Sequence, residues 1–206
     1  MMPPSPLLQV EGLNCIRDDR ELFCELAFQL GAGQVLLLEG KNGSGKTSLL
    51  RILCGFREPD AGHIRWCGNP ISDSQYYADM AYVGHLDGIK KELTVLENLN
   101  LALALGQHGQ YAIPEALTRV QLAGYQQVLV QALSAGQKRR MSLARLLVTK
   151  NRLWILDEPF TSLDKQGIKL TETLMTEHCS RGGLIVLTSH HDLNLTDVDV
   201  QRIHLS

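Results

Sequence analysis

The chain has 206 residues, 44% of them hydrophobic and 20% charged, which is enough apolar surface for one packed core with room for a small insertion. A formal net charge of −2 gives no electrostatic case for nucleic acid or an anionic membrane surface as a partner. Cys15, Cys24, Cys54, Cys67 and Cys179 are odd in number and form no C-x-x-C pair, so they read as scattered small hydrophobes in a reducing compartment.

The first segment, Met1-Met2-Pro3-Pro4-Ser5-Pro6, has no positive charge followed by an apolar core, and predicts a flexible lead-in rather than a signal peptide. Val35-Leu36-Leu37-Leu38 is a continuous apolar run, as expected of a strand buried on both faces. Gly40-Lys41-Asn42-Gly43-Ser44-Gly45-Lys46-Thr47 follows and fits G-x-x-x-x-G-K-[ST]; Ser48 to Leu53 then takes helical spacing. In this context the loop's glycines let backbone N–H groups close around phosphate oxygens. Lys46 reaches the terminal phosphates, and the Thr47 hydroxyl faces Mg²⁺. The predicted nucleotide-binding residues are therefore Gly40, Lys41, Asn42, Gly43, Ser44, Gly45, Lys46, Thr47 and Ser48, with ATP and Mg²⁺ as the expected ligands. A turn at Pro59-Asp60-Ala61-Gly62, a strand at His63 to Trp66 and a turn at Gly68-Asn69-Pro70 make residues 8–66 a mixed sheet around one phosphate-binding helix.

From about Leu86 to Leu147 the composition shifts to Leu, Ala and Gln, and Leu93–Leu105 and Glu115–Leu122 take helical spacing. This predicts an inserted helical subdomain. Its longest apolar run, Leu101 to Leu105, is far below the roughly 18 residues of a membrane span. Ser134 is a good N-cap for a helix running through Arg145, whose exposed N–H groups favour an anion. Lys138-Arg139-Arg140 reads as its solvated face.

Leu153-Trp154-Ile155-Leu156 returns to buried-strand character and ends in Asp157-Glu158. The C-terminal end of such a strand is where open α/β sheets build their sites. Asp157 is thus placed beside Mg²⁺, partly through water, and Glu158 is placed to polarise the attacking water as general base. Leu184-Ile185-Val186-Leu187 is read as the last strand, followed by Thr188-Ser189-His190-His191, and the chain ends soon after it.

Leu133-Ser134-Ala135-Gly136-Gln137, following the phosphate loop in the same chain, resembles the signature of ABC ATPases. The resemblance covers residues 8 to 204. It implies an α/β fold, a P-loop NTPase of the ABC nucleotide-binding type with a mixed sheet core and an inserted helical subdomain. One domain would span 1–206, with the core at about 7–84 and 148–206 and the helical part at about 85–147. It also implies that Ser134, Ala135, Gly136 and Gln137 approach the ATP of the opposite subunit in a homodimer. Thr161-Ser162-Leu163-Asp164 resembles the D-loop, and the switch histidine that touches the γ-phosphate is assigned to His190, with His191 as the alternative. The second glycine of the family signature is Ala135 here, which predicts that its backbone does not need positive φ. The Q-loop glutamine is replaced by His85, and Asp87 could supply the oxygen that glutamine offers Mg²⁺. Arg17 occupies the nearest position to the usual adenine-stacking aromatic, and its planar guanidinium could stack instead.

Within ABC ATPases the chain is similar to the ATP-binding subunits of the cytochrome c biogenesis haem exporter. The features that carry this are Gly40 to Arg51, Tyr82-Val83-Gly84-His85 with Gly88-Ile89-Lys90, Leu133 to Arg140, and Leu153 to Phe160. The resemblance implies a peripheral subunit on the cytoplasmic face of the bacterial inner membrane. Its partners would be multi-span membrane subunits, with a haem chaperone engaged indirectly and no nucleic acid. Docking is expected at a groove near His85 to Leu93. The alternative is the ATPase of another ABC importer or exporter. His63, His108, His178 and His204 read as surface or structural residues.

Overall fold

The computed structural model describes residues 7–85 and 88–206. In chain order its strands are β1 (Leu8–Arg17), β2 (Arg20–Leu30), β3 (Gln34–Gly40), β4 (Ala61–Trp66), β5 (Asn69–Pro70), β6 (Met80–Val83), β7 (Leu153–Asp157), β8 (Leu184–Thr188) and β9 (Asp199–Leu205). The helices are α1 (Lys46–Leu53), α2 (Ser74–Asp79), α3 (Val95–Leu105), α4 (Ile113–Arg119), α5 (Ala135–Val148) and α6 (Lys165–Ser180).

A five-stranded parallel sheet, ordered β6-β7-β8-β3-β9, forms the central layer. Its inner strands are apolar at nearly every position because both faces are covered. Alternation then divides the side chains between the two faces. Leu36, Leu38, Ile155 and Val186 join one cluster with α1 and the antiparallel sheet β2-β1-β4-β5. Val35, Leu37, Leu156 and Leu187 join the other, with residues from α3 through α6. Fully buried leucines such as Leu36 and Leu50 contribute roughly 2 kcal/mol each through burial.

Three corrections to the sequence reading emerge. The chain does not run out after β8, because Asp199–Leu205 returns as an edge strand parallel to β3. Its alternating, half-exposed pattern lacks the apolar run that marked the inner strands. Cys24 and Cys67 are exposed, so only Cys15, Cys54 and Cys179 serve as buried hydrophobes. Arg139 is 3% exposed and is not on a solvated face.

Helix starts follow their capping residues. Thr94 and Glu97 form a reciprocal capping box at α3, Ser134 and Gln137 form another at α5, and the Asp164 side chain caps α6. No helix among the described residues is long and apolar enough to cross a membrane.

Candidate nucleotide site

The site assembles where β3, β7 and β8 end. Gly40 leaves β3 at φ 139, and a β-carbon there would lie 2.2 Å from the Leu205 carbonyl oxygen of β9. Gly43 and Gly45 also take positive φ, and nothing stands within 4 Å of a β-carbon placed on Gly43. The loop therefore presents its backbone to open space ahead of α1. Lys46 is 8% exposed and folds across this loop, its Nζ donating to the Gly40 and Lys41 carbonyls at 2.6 and 3.0 Å. The Ser44 hydroxyl is buried with no partner among the described residues. A buried hydroxyl without a partner in a glycine-rich loop that opens ahead of a helix N-terminus fits an anion.

Asp157 is 6% exposed and receives two hydroxyls, Thr188 Oγ1 at 2.7 Å and Thr47 Oγ1 at 3.3 Å. Thr47 Oγ1 and the Asp157 carboxylate form an all-oxygen set beside the phosphate loop, and this donor chemistry fits Mg²⁺. Next in the chain, Glu158 adopts φ 50, a left-handed conformation costly for a residue with a side chain. Its N–H donates to Thr188 Oγ1 at 2.9 Å. Its carboxylate faces His190, which lies 3.5 Å away through Nε2 and donates its backbone N–H at 3.3 Å. His191 turns the other way, its ring 5.4 Å from that of Phe160. The structure thus brings Lys46, Thr47, Asp157, Glu158 and His190 into linked positions.

Ser134, Ala135, Gly136 and Gln137 are elsewhere. With Ser162 and Asp164 they line a separate cavity of about 480 Å³ that shares no residue with the phosphate loop. Ser134 Oγ accepts the Gln137 N–H at 3.2 Å, which leaves its own proton available to a ligand. Ala135 is the first residue of α5 and is absent from the positive-φ positions, so alanine fits without strain. Hydrogen bonding from the Gly167 N–H, with Arg140 beside it, holds the Asp164 carboxyl below the usual range.

Arg17 stands at the hairpin end of β1, exposed, with Nε 3.5 Å from Asp18. The aromatic that packs on the phosphate loop is Phe23, whose ring lies 3.2 Å from a β-carbon placed on Gly45. His85 is exposed at the end of β6, while Asp87 and Leu86 lie outside the described residues.

Two residues of the site were missed by sequence reasoning. Thr188 is fully buried and bonds both Asp157 and the Glu158 backbone. A hydroxyl closing an otherwise apolar strand was the available signal. Arg139 binds the backbone of the strand ends, and the charged triplet around it hid its burial.

A third feature is a groove of about 430 Å³ beside β6, lined by Tyr77, Met80, Tyr82, Ala102, Leu105 and Arg145 among others. Leu105 is 83% exposed and Tyr77 47%, while burial, with Asp157 nearby, pushes the Tyr82 hydroxyl up to about 12.

The ABC transporter family model matches residues 23–161, more than half of the chain. A cytochrome c biogenesis ATP-binding export protein CcmA from Vibrio cholerae is 46% identical over 203 residues, covering 97% of this chain and 98% of the relative. The protein of the same description from Methylococcus capsulatus is 47% identical over 209 residues, covering 100% of both. The chain belongs to the CcmA family of ABC ATPases. The solved structure of an ATP-binding subunit of an ABC transporter superimposes with TM-score 0.80 at 27% identity, covering 89% of this chain and 79% of the other. A dimeric ATP-binding cassette in a post-hydrolysis state with ADP and Pi has TM-score 0.81 at 20% identity over 96% of this chain and 94% of that one, a likeness of fold. Members of this family are ATP-hydrolysing transport subunits, and the P-loop fold expected from the sequence is the one observed.

Proposed function

We propose that this chain is the ATP-hydrolysing subunit of an export complex for cytochrome c biogenesis, driving either haem export or release of a haem chaperone. The observation that carries the chemical part is the Glu158 carboxylate, braced by His190 and adjoining Asp157 at the sheet's C-terminal edge. Near-full-length identity with proteins described as cytochrome c biogenesis export subunits supports the biological part.

In this reading Lys46 leaves the Gly40 and Lys41 carbonyls for the terminal phosphates of ATP, and the loop N–H groups and Ser44 hydroxyl hold the remaining oxygens. Thr47 and Asp157 would hold Mg²⁺, which would neutralise charge on the phosphates. Glu158 accepts a proton from the attacking water, and His190 fixes the carboxylate and faces the γ-phosphate. The site is completed by a second copy, whose Ser134 and Gly136 close on the γ-phosphate with the α5 N-terminus behind them. The separation of the signature cavity from the phosphate loop supports this two-copy arrangement.

The groove beside Tyr77, Tyr82 and Leu105, which is lined by none of the described residues from His85 to Leu93 where docking was expected, receives a segment of a multi-span membrane subunit and holds the protein peripherally on the cytoplasmic face of the inner membrane. Its exposed apolar side chains support a protein partner there.

Glu158→Gln tests the chemical assignment. Turnover should fall by roughly a thousandfold because an amide cannot take the proton, while ATP binding remains and ATP drives a stable dimer seen by sedimentation. Turnover near that of the unsubstituted protein would remove Glu158 from the role.

A further inference from the structure

Arg139 lies in α5, the helix whose N-terminus carries Ser134, and its guanidinium is buried under the ends of two strands. Its Nε donates to the Pro159 carbonyl at 3.1 Å, one terminal nitrogen to Gly84 at 2.9 Å, and the other to Asp157 at 2.7 Å and to the Glu158 carbonyl. These four carbonyls belong to the two segments that shape the site. One is the turn leaving β7, where Glu158 holds φ 50; the other is the end of β6 immediately before His85. A left-handed glutamate persists only when its surroundings over-determine it. Here the constraint comes from Thr188 on the N–H side and, on the carbonyl side, from Arg139 together with the Thr161 N–H at 3.2 Å.

We propose that Arg139 is a positioning residue that ties the Glu158 backbone and the Gly84–His85 turn to the signature helix. Movement of α5 is then passed directly to the carboxylate, without travelling through the surrounding core. The planar fork matters because only a guanidinium presents five fixed donors; an ammonium offers three tetrahedral ones. This inference rests on the reading of Glu158 as general base.

Steady-state kinetics of the full chain separate the two. Arg139→Lys should lower kcat about tenfold or more while KM for ATP stays within about twofold, the pattern of an interaction lost after binding. Glu158→Gln is assayed alongside. An inactive Glu158→Gln with wild-type kcat in Arg139→Lys overturns the positioning role alone. Full turnover in Glu158→Gln removes the reading beneath it. A parallel loss of kcat and ATP affinity in Arg139→Lys makes the arginine a general fold element and also overturns the proposal. A second measurement needs no Arg139 substitution, should Arg139→Lys not fold. In the full-length chain carrying Glu158→Gln, the Arg139 Nε–H resonance should exchange about a hundredfold more slowly than that of Arg17, and should shift when Mg–ATP is added. Exchange as fast as Arg17, or no shift at saturating nucleotide, contradicts the link.

Discussion

A β-carbon on Gly136 would stand 2.8 Å from the Ser162 carbonyl oxygen, so the start of α5 and the turn after β7 are in contact with no room for a side chain. Ser162 itself holds φ 65, which leaves that turn little freedom to yield. Gly136→Ala should therefore displace the Ser162–Asp164 turn without touching the phosphate loop. ATP affinity of the monomer is expected to stay unchanged while hydrolysis drops roughly ten- to hundredfold, as sub-ångström misplacement does in closed sites. Nucleotide titration beside a turnover assay checks the split, and retained hydrolysis would show that the turn is not part of the closing surface.

Thr188 joins the two acidic residues through one hydroxyl, donating to Asp157 and accepting from Glu158. Thr188→Val keeps the shape and removes both bonds. The orphaned groups should cost about 1–3 kcal/mol of stability in urea unfolding. Turnover should also fall about tenfold as Glu158 loses the restraint on its backbone N–H. A variant as stable and active as the unsubstituted chain would contradict the arrangement.

The phosphate loop could be read from sequence because every part of its task is tied to fixed spacing along one strand–loop–helix unit. Asp157 and Glu158 were equally legible, standing where an apolar strand stops. The choice between His190 and His191 was not. Adjacent residues past a strand end leave in different directions, and only the fold puts His190 against Glu158 and His191 against Phe160. Arg139 failed for another reason. Its sequence neighbours Lys138 and Arg140 are charged, yet the β6 and β7 ends supply carbonyls that need a buried donor. That demand comes from residues 18 to 55 positions away and leaves no local trace. The return strand β9 was missed because an edge strand can remain half polar.

Leu105 ends α3 and exposes 83% of its surface at the groove beside β6. Leu105→Asp should leave stability within about 0.5 kcal/mol and nucleotide binding intact, while releasing the protein from membranes containing its partners. Fractionation of cells carrying the variant measures this. Full retention on membranes would place docking elsewhere, for instance at Lys90 and Lys91.

Burial drives the His178 pKa down to about 4, with its ring stacked 3.8 Å from Trp154 and its Nε2 3.2 Å from the Arg152 carbonyl. The folded state thus keeps this imidazole neutral, whereas the unfolded chain takes up the proton near pH 6.5. Its contribution is intact above about pH 6.5 and is lost as pH falls toward 4, by up to about 3 kcal/mol. His178→Gln should be less stable at pH 7 by about 1 kcal/mol, yet lose less between pH 7 and pH 5 in urea unfolding. Parallel pH curves for the two proteins would contradict a half-buried histidine held neutral by the fold.

ATP turnover at Lys46 and Glu158 is proposed to power a step needed for c-type cytochromes. Its most direct measurement is haem staining of membranes from cells whose only copy of this subunit carries Lys46→Ala. Covalently attached c-type haem should disappear, while b-type cytochromes persist because haem synthesis lies upstream. Haem bound covalently to the chaperone in the same stained fractions distinguishes a release step, where it accumulates, from an export step, where it is absent. Normal c-type cytochromes in cells producing the folded Lys46→Ala protein would contradict this role for ATP turnover.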